Sequence, residues 1–390
     1  MSQQIQTDVV IVGAGLVGLT AAIALAKQHK KVVLIDSQAL SKAEFSGWDQ
    51  RIYALTESSV IWLKSLGIWD EVDAKRVNSI QAMQLWGPDS EQALKLTADD
   101  AYLSQMGCVL ENQNLVKACW QVLNNLEITV LAGVACQSIS HSDQHVTLIL
   151  GDSRVVTAKL LIAADGSDSW VRQQANISVN FKSFDQTAIV ANFEAEFDHQ
   201  NVARQWFGVH ETLALLPLPQ KNVSMVWAMP TVDVDEYLNL SNAALAGRVE
   251  SRTHSILGKL KPLNKAMPFV LNQKTASQLV ANRIVLMGDA AHQVHPMAGQ
   301  GVNLGFGDVI KLSELTASLG ALHDMGDYSL LRQYERARKL DILQMNQLTA
   351  GLDTLFSIHH SWVPKLTEWG MQFIDKQNVI KRHLIRHATL

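Results

Sequence analysis

Residues 7–36 of this chain, TDVVIVGAGLVGLTAAIALAKQHKKVVLID, contain the pattern that decides the fold. An apolar strand pattern ends in Gly13, an alanine-rich helix pattern follows Gly18, and a second apolar run ends in the acid Asp36. Gly13 permits a tight turn, Gly15 lets the backbone approach a pyrophosphate, and Gly18 lets the helix pack closely on the sheet. A carboxylate 18 residues beyond Gly18 can accept hydrogen bonds from ribose hydroxyls. The stretch therefore predicts a dinucleotide-binding strand–helix–strand unit.

The glycine motif alone does not identify the ligand of this unit. Glycine-rich turns that bind nothing are common, but here a strand precedes the turn, a helix follows it and an acid ends the next strand. The N-terminus of the helix offers unpaired N–H groups and a positive dipole end to phosphates. NAD and FAD both use this arrangement, so the rest of the chain must distinguish them.

Composition limits the class of protein. The chain has 390 residues, 47% of them apolar and 18% charged, which is typical of a globular protein of about two domains. A formal charge of −4 argues against nucleic acid as the main partner. The three cysteines form neither a C-x-x-C pair nor a zinc spacing, which favours reduced thiols in a cytoplasmic protein. They are Cys108, Cys119 and Cys136.

Residues 9–26 form an uncharged run of 18 residues, long enough to suggest a membrane span or a signal peptide. Three glycines interrupt this run, and the acidic Asp8 precedes it. We therefore interpret it as the buried first strand and helix. No other stretch resembles a span, so we expect a protein that is soluble or peripheral to a membrane.

Arg51 follows a polar segment and precedes a short apolar run and a helix predicted over residues 57–66, which Thr56 can cap. An isolated arginine at such a position is usually a surface or salt-bridged residue. The functional alternative is a cation beside the cofactor. The residue types alone leave both open.

A second informative stretch is the strand pattern of residues 158–164, which ends in Asp165 and Gly166 before a short helix. Ligands of open α/β sheets bind beyond the carboxyl ends of the strands, which is where this Asp-Gly pair is expected. The alternative is an ordinary left-handed turn with a polar cap.

A third stretch also has a strand that ends near an acid and is followed by a helix, and it contains more glycines. A strand over residues 283–287 ends in Gly288 and Asp289, and a helix is predicted from about Val302 to residue 322. Glycine within a helix costs about 1 kcal/mol relative to alanine, so the glycines near the helix start indicate a need for space or backbone N–H groups beside a ligand. The residues that open this helix, and that we select as candidate ligand contacts, are Pro296, Gly299, Gln300, Gly301 and Asn303.

His292 and His295 flank this loop, and two histidines three residues apart can suggest a metal site. No cysteine partner or clear third ligand is near, so we predict no metal. The alternative roles are capping, packing or contact with the ligand loop.

The strand and helix patterns predict an α/β protein, α+β overall, with a Rossmann-like nucleotide-binding domain of residues 1–79, 108–176 and 276–330. Residues 80–107 and 177–275 are predicted to form an inserted, mainly antiparallel substrate domain, with one helix over residues 232–257. Its aromatic residues either line an apolar pocket or form ordinary core. They are Trp206, Phe207, Trp227 and Phe269.

Residues 331–390 are predicted to be helical. The charged residues between 332 and 339 indicate a solvated helix face. From Trp362 onward, basic and apolar residues are interleaved, with five basic and two acidic residues. This end is a candidate for docking to a membrane surface or a partner, and a helix packed on its own domain is the alternative.

Taken in order, the three motifs resemble those of the single-component aromatic flavoprotein monooxygenases, the group of 4-hydroxybenzoate hydroxylase, over the whole chain. Within that group the chain is similar to the ubiquinone-biosynthesis hydroxylases, on the segments RIYAL (51–55), LEN (110–112) and GQGVNLGFGD (299–308). Residues 352–382 look most like the branch that hydroxylates the late demethoxy quinol. One departure is Asp36, where the family usually has Glu.

The resemblance implies FAD as cofactor and assigns the predicted site residues to its parts. Gly13, Gly15 and Gly18 would hold the pyrophosphate, and Asp36 the adenosine ribose. The remaining cofactor-binding residues would line FAD from the ribityl chain to the ring, with Asp165 and Gly166 also able to meet the nicotinamide nucleotide. These are Arg51, Asp165, Gly166, Gly288, Asp289, Gly301, Val302 and Asn303. The residues expected to border the reacting ring are Pro296, Gly299, Gln300 and Gly301.

The resemblance also implies the reaction. NADH or NADPH would reduce the flavin, O2 would form a C4a-hydroperoxyflavin, and one oxygen atom would pass to the ring of a polyprenyl phenol or quinol in ubiquinone biosynthesis. A polyprenyl substrate would suit a cytoplasmic protein held peripherally at the inner face of the membrane, in a biosynthetic complex or by its basic C-terminus.

Three other functions remain open on the sequence. A hydroxylase of a small soluble aromatic would respond to a water-soluble phenol. A flavin-dependent reductase of prenyl chains would consume no O2. A non-catalytic FAD-binding subunit of a biosynthetic complex would hold flavin without oxidising NAD(P)H. A plain NAD dehydrogenase is disfavoured because it does not need the two later motifs.

Overall fold

The computed structural model describes residues 3–39, 47–88, 92–294, 301–320, 323–357, 381–382 and 385, with only the backbone described for residues 346–357. The strands are β1 (Gln4–Val12), β2 (Val32–Asp36), β3 (Ile52–Leu55), β4 (Val77–Ile80), β5 (Ala82–Trp86), β6 (Leu94–Thr97), β7 (Gly107–Glu111), β8 (Ile128–Ala132), β9 (Cys136–His141), β10 (Val146–Leu150), β11 (Val155–Ala163), β12 (Val179–Ala195), β13 (Val202–Phe207), β14 (Thr212–Pro217), β15 (Asn222–Pro230), β16 (Leu260–Pro262), β17 (Met267–Ala276), β18 (Val280–Ala281), β19 (Ile284–Leu286) and β20 (His292–Gln293). The α-helices are α1 (Leu16–Ala26), α2 (Glu57–Ser65), α3 (Asn112–Leu123), α4 (Trp170–Gln174), α5 (Val234–Leu238), α6 (Asn242–Arg252), α7 (Gly301–Ala317) and α8 (Tyr328–Ser357).

The first sheet runs in the order β18-β19-β11-β1-β2-β8, and β10 and β9 extend it beside β11. Its central neighbours β19, β11, β1, β2 and β8 are parallel. Helix α1 packs against α3 and α7 beside this sheet. Because α1 is buried along nearly its whole length, its sequence is apolar all round, which explains the uncharged run of residues 9–26.

The second sheet runs in the order β20-β17-β12-β15-β14-β13-β5-β6, with β16 paired to β12. Its pairs are antiparallel except that of β13 with β5. The face of this sheet that packs with α5 and α6 forms its own core around residues such as Ile189, Trp206 and Trp227. A third, small sheet, β3-β7-β4, completes the described architecture.

The single helix predicted over residues 232–257 is wrong. The structure has a 3-10 turn, α5 and then α6 in this region. The break has a local cause, because the Ser241 side chain accepts a hydrogen bond from the Ala244 N–H at 3.2 Å and so starts α6 as an N-cap. Helix α7 also ends at Ala317, earlier than predicted.

The solvated face predicted for residues 332–339 is wrong in part. Tyr334, Glu335 and Arg338 of α8 are 0%, 1% and 5% exposed, whereas Arg336 and Lys339 are exposed to solvent. The Tyr334 hydroxyl donates to the carbonyl of Leu286 at 2.9 Å, which joins α8 to the end of β19. The buried charged residues have charged partners, since Glu335 contacts Arg332 and Arg338 contacts Asp308.

Two further features concern the helices and the cysteines. Within the described residues, no helix is long and apolar enough to cross a membrane. Cys108, Cys119 and Cys136 are all free thiols, and burial raises the pKa of Cys108 to about 12.

Candidate cofactor and active site

The predicted acids and glycines converge because they follow parallel, neighbouring strands. Strands β2, β1, β11 and β19 lie side by side with the same direction, so their carboxyl ends form one edge of the first sheet. Asp36, Gly13, Asp165 and Gly288 stand at or just after these four ends. This edge is where open α/β sheets bind ligands.

Gly13 and Gly18 are glycines because the backbone is crowded around them. Gly13 has φ of +105°, and a Cβ there would lie 2.2 Å from the Ala164 carbonyl oxygen. A Cβ on Gly18 would lie 1.8 Å from the carbonyl oxygen of Gly13. These contacts bring the first turn of α1 close against the sheet, as the motif predicts.

Gly15 differs, because a Cβ there would meet no atom of the described residues within 4 Å. Gly15 is the N-cap of α1, its backbone is extended, and no side chain caps the helix. Open space thus lies at a helix N-terminus whose first N–H groups have no side-chain acceptor. A phosphate anion would supply that acceptor.

Asp36 has a contact that the sequence did not predict. Its Oδ2 accepts a hydrogen bond from the Ala14 N–H at 2.6 Å, and its Oδ1 accepts one from the Gln38 N–H at 2.7 Å. The short carboxylate therefore braces the glycine turn directly. Each carboxylate oxygen has a second lone pair, so both can still accept from a ribose hydroxyl.

Asp165 and Gly166 form a left-handed turn and also leave room for a ligand. Gly166 has φ of +84°, and no atom of the part of the chain that the structure describes lies within 4 Å of where its Cβ would be. Asp165 Oδ2 accepts from the Val171 N–H at 3.0 Å, whereas Oδ1 is buried and lacks a hydrogen-bond partner in the described part of the chain. A buried carboxylate oxygen without a donor is costly, which favours a ligand hydroxyl or N–H at this point.

Arg172 ties this turn to the next one. Its Nη1 donates to the Ala290 carbonyl and its Nη2 to the Ser167 carbonyl, both at 2.8 Å. The side chain is 5% exposed. No role for this arginine was identified from the sequence.

Gly288 and Asp289 form the third turn. Gly288 has φ of +55°, and a Cβ there would lie 3.0 Å from a methyl group of Val17 in α1. Asp289 is exposed to solvent among the described residues, yet the surrounding protein raises the pKa of its carboxyl, a rise that the nearby His292 and Arg51 oppose. An acid in this position can accept hydrogen bonds from hydroxyls of a bound cofactor.

Behind this turn lies a buried ionic cluster around Asp308, which is 0% exposed. Its Oδ2 accepts from the Gly288 N–H at 2.8 Å and contacts His292 Nε2 at 2.7 Å, and its Oδ1 accepts from Arg338 Nε at 2.7 Å. Arg338 also donates to the Leu304 carbonyl at 3.0 Å. The cluster fixes the Gly-Asp turn against α7 and α8.

Helix α7 begins at Gly301, and Val302 is buried. The Asn303 amide is used within the protein, because its Nδ2 donates to the Ala54 carbonyl at 2.8 Å and its Oδ1 accepts from Ser59 Oγ at 2.8 Å and from the Thr56 N–H at 3.2 Å. The side chain thus joins α7 to β3 and α2. Pro296, Gly299 and Gln300, three of the residues predicted to border the ring, lie outside the described residues.

Arg51 stands on the loop of residues 47–51, which we call the arginine loop. Asp49 Oδ1 accepts from the Arg51 N–H at 3.0 Å, and the Arg51 carbonyl accepts from the Asn112 N–H at 2.9 Å. The Arg51 guanidinium lies 5.8 Å from the ring centre of Phe269, and its charge opposes the rise in the pKa of Asp289. The structure therefore places this cation beside β17, with its charge acting on the Gly-Asp turn.

Glu111 anchors the arginine loop, a role that sequence reasoning missed. Glu111 is 2% exposed. It accepts from the Asp49 N–H at 2.6 Å and from both Nε and Nη2 of Arg76, the latter at 2.6 Å. Arg76 in turn lies over the Trp48 ring at 4.3 Å. The only sequence signal was the Glu-Asn pair before α3.

The second sheet faces this region with small apolar side chains. Asn192 Nδ2 donates to the Asp49 carbonyl at 2.8 Å, which joins β12 to the arginine loop. On the same face of the sheet lie Ala188, Ala228 and Leu271, which form a small cluster of their own. Trp206 and Trp227 belong to the opposite, helix-covered face and are core.

The geometry can now be compared with two predictions from the sequence, that there is no metal site and that the cofactor is a dinucleotide. The His292 imidazole contacts Asp308, and no group of three potential metal ligands occurs among the described side chains. The open space at Gly15 and Gly166, the unpartnered oxygen of Asp165 and the exposed Asp289 fit an extended dinucleotide along the sheet edge. Arg51 and the start of α7 would then meet its far end.

These features define the class of the protein as a dinucleotide-binding fold with a second, mainly antiparallel sheet. Residues 6–349 match the family model described as FAD binding domain. The chain belongs to this FAD-binding family, and it is a flavoprotein monooxygenase.

Sequence similarity to known relatives extends over nearly the full length of the chain. The chain is 33% identical over 383 residues to ubiquinone hydroxylase UbiL of Rhodospirillum rubrum, which covers 98% of this chain and 89% of the relative. It is 30% identical over 388 residues to 3-demethoxyubiquinol 3-hydroxylase of Escherichia coli, which covers 98% of each. The fold matches that of p-nitrophenol 4-monooxygenase PnpA from Pseudomonas putida DLL-E4, with a TM-score of 0.79 and 19% identity over 99% of this chain and 98% of that one.

Proposed function

We propose that this protein hydroxylates the aromatic ring of a polyprenyl phenol or quinol in ubiquinone biosynthesis, with O2 as oxygen donor and NADH or NADPH as reductant. The observation that carries the proposal is the position of Arg51, whose guanidinium lies 5.8 Å from the ring centre of Phe269 on the second sheet and whose charge acts on Asp289 of the Gly-Asp turn. The two full-length relatives, both named as ubiquinone-pathway hydroxylases, support the choice of pathway.

Bound FAD would supply the electron transfer and the activation of O2. The protein's part is to hold the cofactor at the sheet edge: Gly13, Gly15 and Gly18 with the N-terminus of α1 at the pyrophosphate, and Asp36 at the ribose. At the middle of the cofactor, Asp165 would accept a hydrogen bond and Gly166 would leave space. Gly288 and Asp289 would contact the ribityl chain.

At the reactive end, backbone N–H groups at the start of α7 would stabilise negative charge on the ring, aided by the helix dipole. In this proposal Gly301 and Val302 stabilise the charge through their backbone N–H groups, and Arg51 is a nearby cation. Asn303 would act indirectly, since its amide holds α7 to β3. Pro296, Gly299 and Gln300 remain proposed from sequence as neighbours of the ring.

The substrate ring would lie between the cofactor and the face of the second sheet that carries Ala188 and Ala228. Small side chains leave space for a flat ring, and the lack of charged groups in that cluster disfavours water. We accordingly propose residues 80–107 and 177–275 as the substrate domain, residues 1–79, 108–176 and 276–330 as the FAD domain, and residues 331–390 as a helical C-terminal region.

Deletion of the gene, followed by mass spectrometry of quinone precursors, tests the function. The expected result is accumulation of a polyprenyl precursor that lacks one ring hydroxyl, and its identity gives the ring position. Unchanged ubiquinone in a strain without a redundant hydroxylase would contradict the proposal. A reductase of prenyl chains would instead leave the ring complete and the tail altered.

We also propose a cytoplasmic protein held at the inner membrane face or in a biosynthetic complex. The basic and apolar residues from Trp362 onward support this proposal. Of this end the structure describes residues 381, 382 and 385. Lys381 and Ile385 are buried and the Arg382 guanidinium lies 4.6 Å from the Tyr102 ring centre, so these three residues favour the alternative of an end packed on its own domain. Cosedimentation with anionic vesicles tests it, with a variant truncated after residue 357 as control. Equal sedimentation of both proteins would contradict a role for this end.

A further inference from the structure

Strand β17 carries an unusual amount of exposed apolar surface. Met267, Phe269 and Val270 are 53%, 49% and 58% exposed. Large apolar side chains that are exposed in a contiguous group commonly mark a binding surface. The question is what this surface binds and which of the strand's two faces binds it.

The register of β17 with β12 separates the two faces. Met267 pairs with Val190, Phe269 with Ala188, and Leu271 lies two residues further along. In an antiparallel pair, directly opposed residues point to the same face, and residues two apart on one strand share a face. Met267, Phe269 and Leu271 therefore form one row, which we call the β17 row.

Val270 lies on the other face of the same strand. It pairs with Thr187, whose hydroxyl lies 3.0 Å from that of Thr231 next to α5. Its neighbour Pro268 pairs with Ile189 of the helix-covered core. Val270 is thus as exposed as Met267 but points away from the cofactor side.

The β17 row is continuous with the proposed substrate cavity. Leu271 is 2% exposed and clusters with Ala188 and Ala228. Phe269 lies beside Arg51, the residue proposed to meet the cofactor. Met267 stands two residues further out, so the row leads from the cavity wall to the surface over about 14 Å.

We propose that the β17 row binds the polyprenyl tail of the substrate where it leaves the cavity. The inference rests on the proposed function, since only a substrate with a long hydrocarbon tail needs a path of this kind. The row is apolar throughout, and its cross-strand partners Val190 and Ala188 are apolar too. A hydrocarbon chain would bury these side chains, and burial of apolar area is its main source of affinity.

The test compares two variants on one strand. Met267→Glu places a charge in the row, and Val270→Glu places the same charge on the opposite face at similar exposure. Flavin absorbance of the purified proteins checks that both variants load FAD. Each is then assayed for hydroxylation of a quinol with a polyprenyl tail and of the same ring with a methyl group in place of the tail.

The expected result is a KM for the tailed quinol that rises about tenfold in Met267→Glu, with KM for the methyl analogue and kcat for both unchanged. Val270→Glu should match the wild type on both substrates. Conservative replacement, Met267→Leu, should restore the low KM.

Three outcomes would overturn the inference. An equal rise of KM in both glutamate variants would indicate general contact with a membrane surface or a second copy of the chain. An equal loss with the tailed and the tail-free substrate would assign Met267 to ring binding or to folding. If the wild type hydroxylates neither quinol, the proposed function fails, and the tail site fails with it.

Discussion

Gly13 and Gly15 are two residues apart in one motif, but opposite constraints make them glycine. At Gly13 the backbone has a left-handed φ and a carbonyl oxygen occupies the space of a Cβ. At Gly15 the conformation suits any residue and the space is open. The first glycine serves the fold, and we propose that the second leaves room for the cofactor.

Alanine substitution should separate these roles. Gly13→Ala should lower the free energy of unfolding of the apoprotein by about 3 kcal/mol or more, because it adds both strain and a clash. Gly15→Ala should change that free energy by less than about 1 kcal/mol but weaken FAD binding at least about tenfold. Urea unfolding and flavin titration measure the two quantities. Wild-type FAD affinity in Gly15→Ala would contradict the assignment.

At this scale the sequence predicts those residues whose role depends on the local backbone. The glycines, Asp165 and Asp289 could be selected from the sequence as candidate site residues because they stand just after strand ends. The partners of Asp308 and Glu111 could not, because Arg338 and Arg76 are 30 and 35 residues away and pair only once helices and strands have packed. A charged residue in a helix pattern looks the same whether it is solvated or paired inside.

At the scale of elements, Asp308 joins α7, α8 and the Gly-Asp turn in one buried cluster. Removing one partner of a buried ion pair leaves the other charge uncompensated, which commonly costs more than removing both. The neighbouring glycine reflects the same packing, since a Cβ on Gly307 would lie 2.8 Å from Arg338 Nη2.

Asp308→Ala should therefore lower the free energy of unfolding by about 3–5 kcal/mol, and the double variant Asp308→Ala, Arg338→Met by less. Glu314→Ala removes an exposed partner of Lys311 on the same helix and should cost at most about 0.5 kcal/mol. Denaturant unfolding of the apoproteins compares the three. A double variant less stable than Asp308→Ala would contradict the ionic account.

The same cluster should give stability a pH dependence. Burial alone would raise the pKa of Asp308, but His292 and Arg338 together outweigh it, and the net pKa lies below the usual value of 3.8. Since the folded-state pKa is depressed, the stabilisation is fully present above that value and is lost as the pH falls through the folded-state pKa. Acid unfolding curves should show this loss in the wild type and a shallower dependence in Asp308→Asn.

The arginine loop is a second element whose position depends on one buried acid. Glu111→Gln keeps an acceptor for the Asp49 N–H but loses the charge that pairs with Arg76. We expect kcat to fall about tenfold to a hundredfold through displacement of Arg51, with FAD still bound. Glu236→Gln, in an exposed pair with Arg248, should leave kcat unchanged. Equal kcat in Glu111→Gln and wild type would contradict the positioning role.

At the scale of the whole molecule, the two large sheets have different roles. In the proposed function, the parallel sheet presents strand ends to the cofactor, and the antiparallel sheet presents an apolar face to its reactive end. Strand periodicity predicted both sheets, including the antiparallel character of residues 177–275. It could not predict which face of β12 meets Arg51, because both faces are apolar and only the packing of α5 and α6 distinguishes them.

The most direct test of the central claim follows the oxygen atom. Purified, FAD-loaded protein is incubated with NADH or NADPH, isotopically labelled O2 and a demethoxylated polyprenyl quinol, and the product is analysed by mass spectrometry. The account predicts one labelled oxygen atom on the aromatic ring. Oxidation of the reductant with no labelled oxygen in the ring, for quinol and phenol substrates alike, would contradict it.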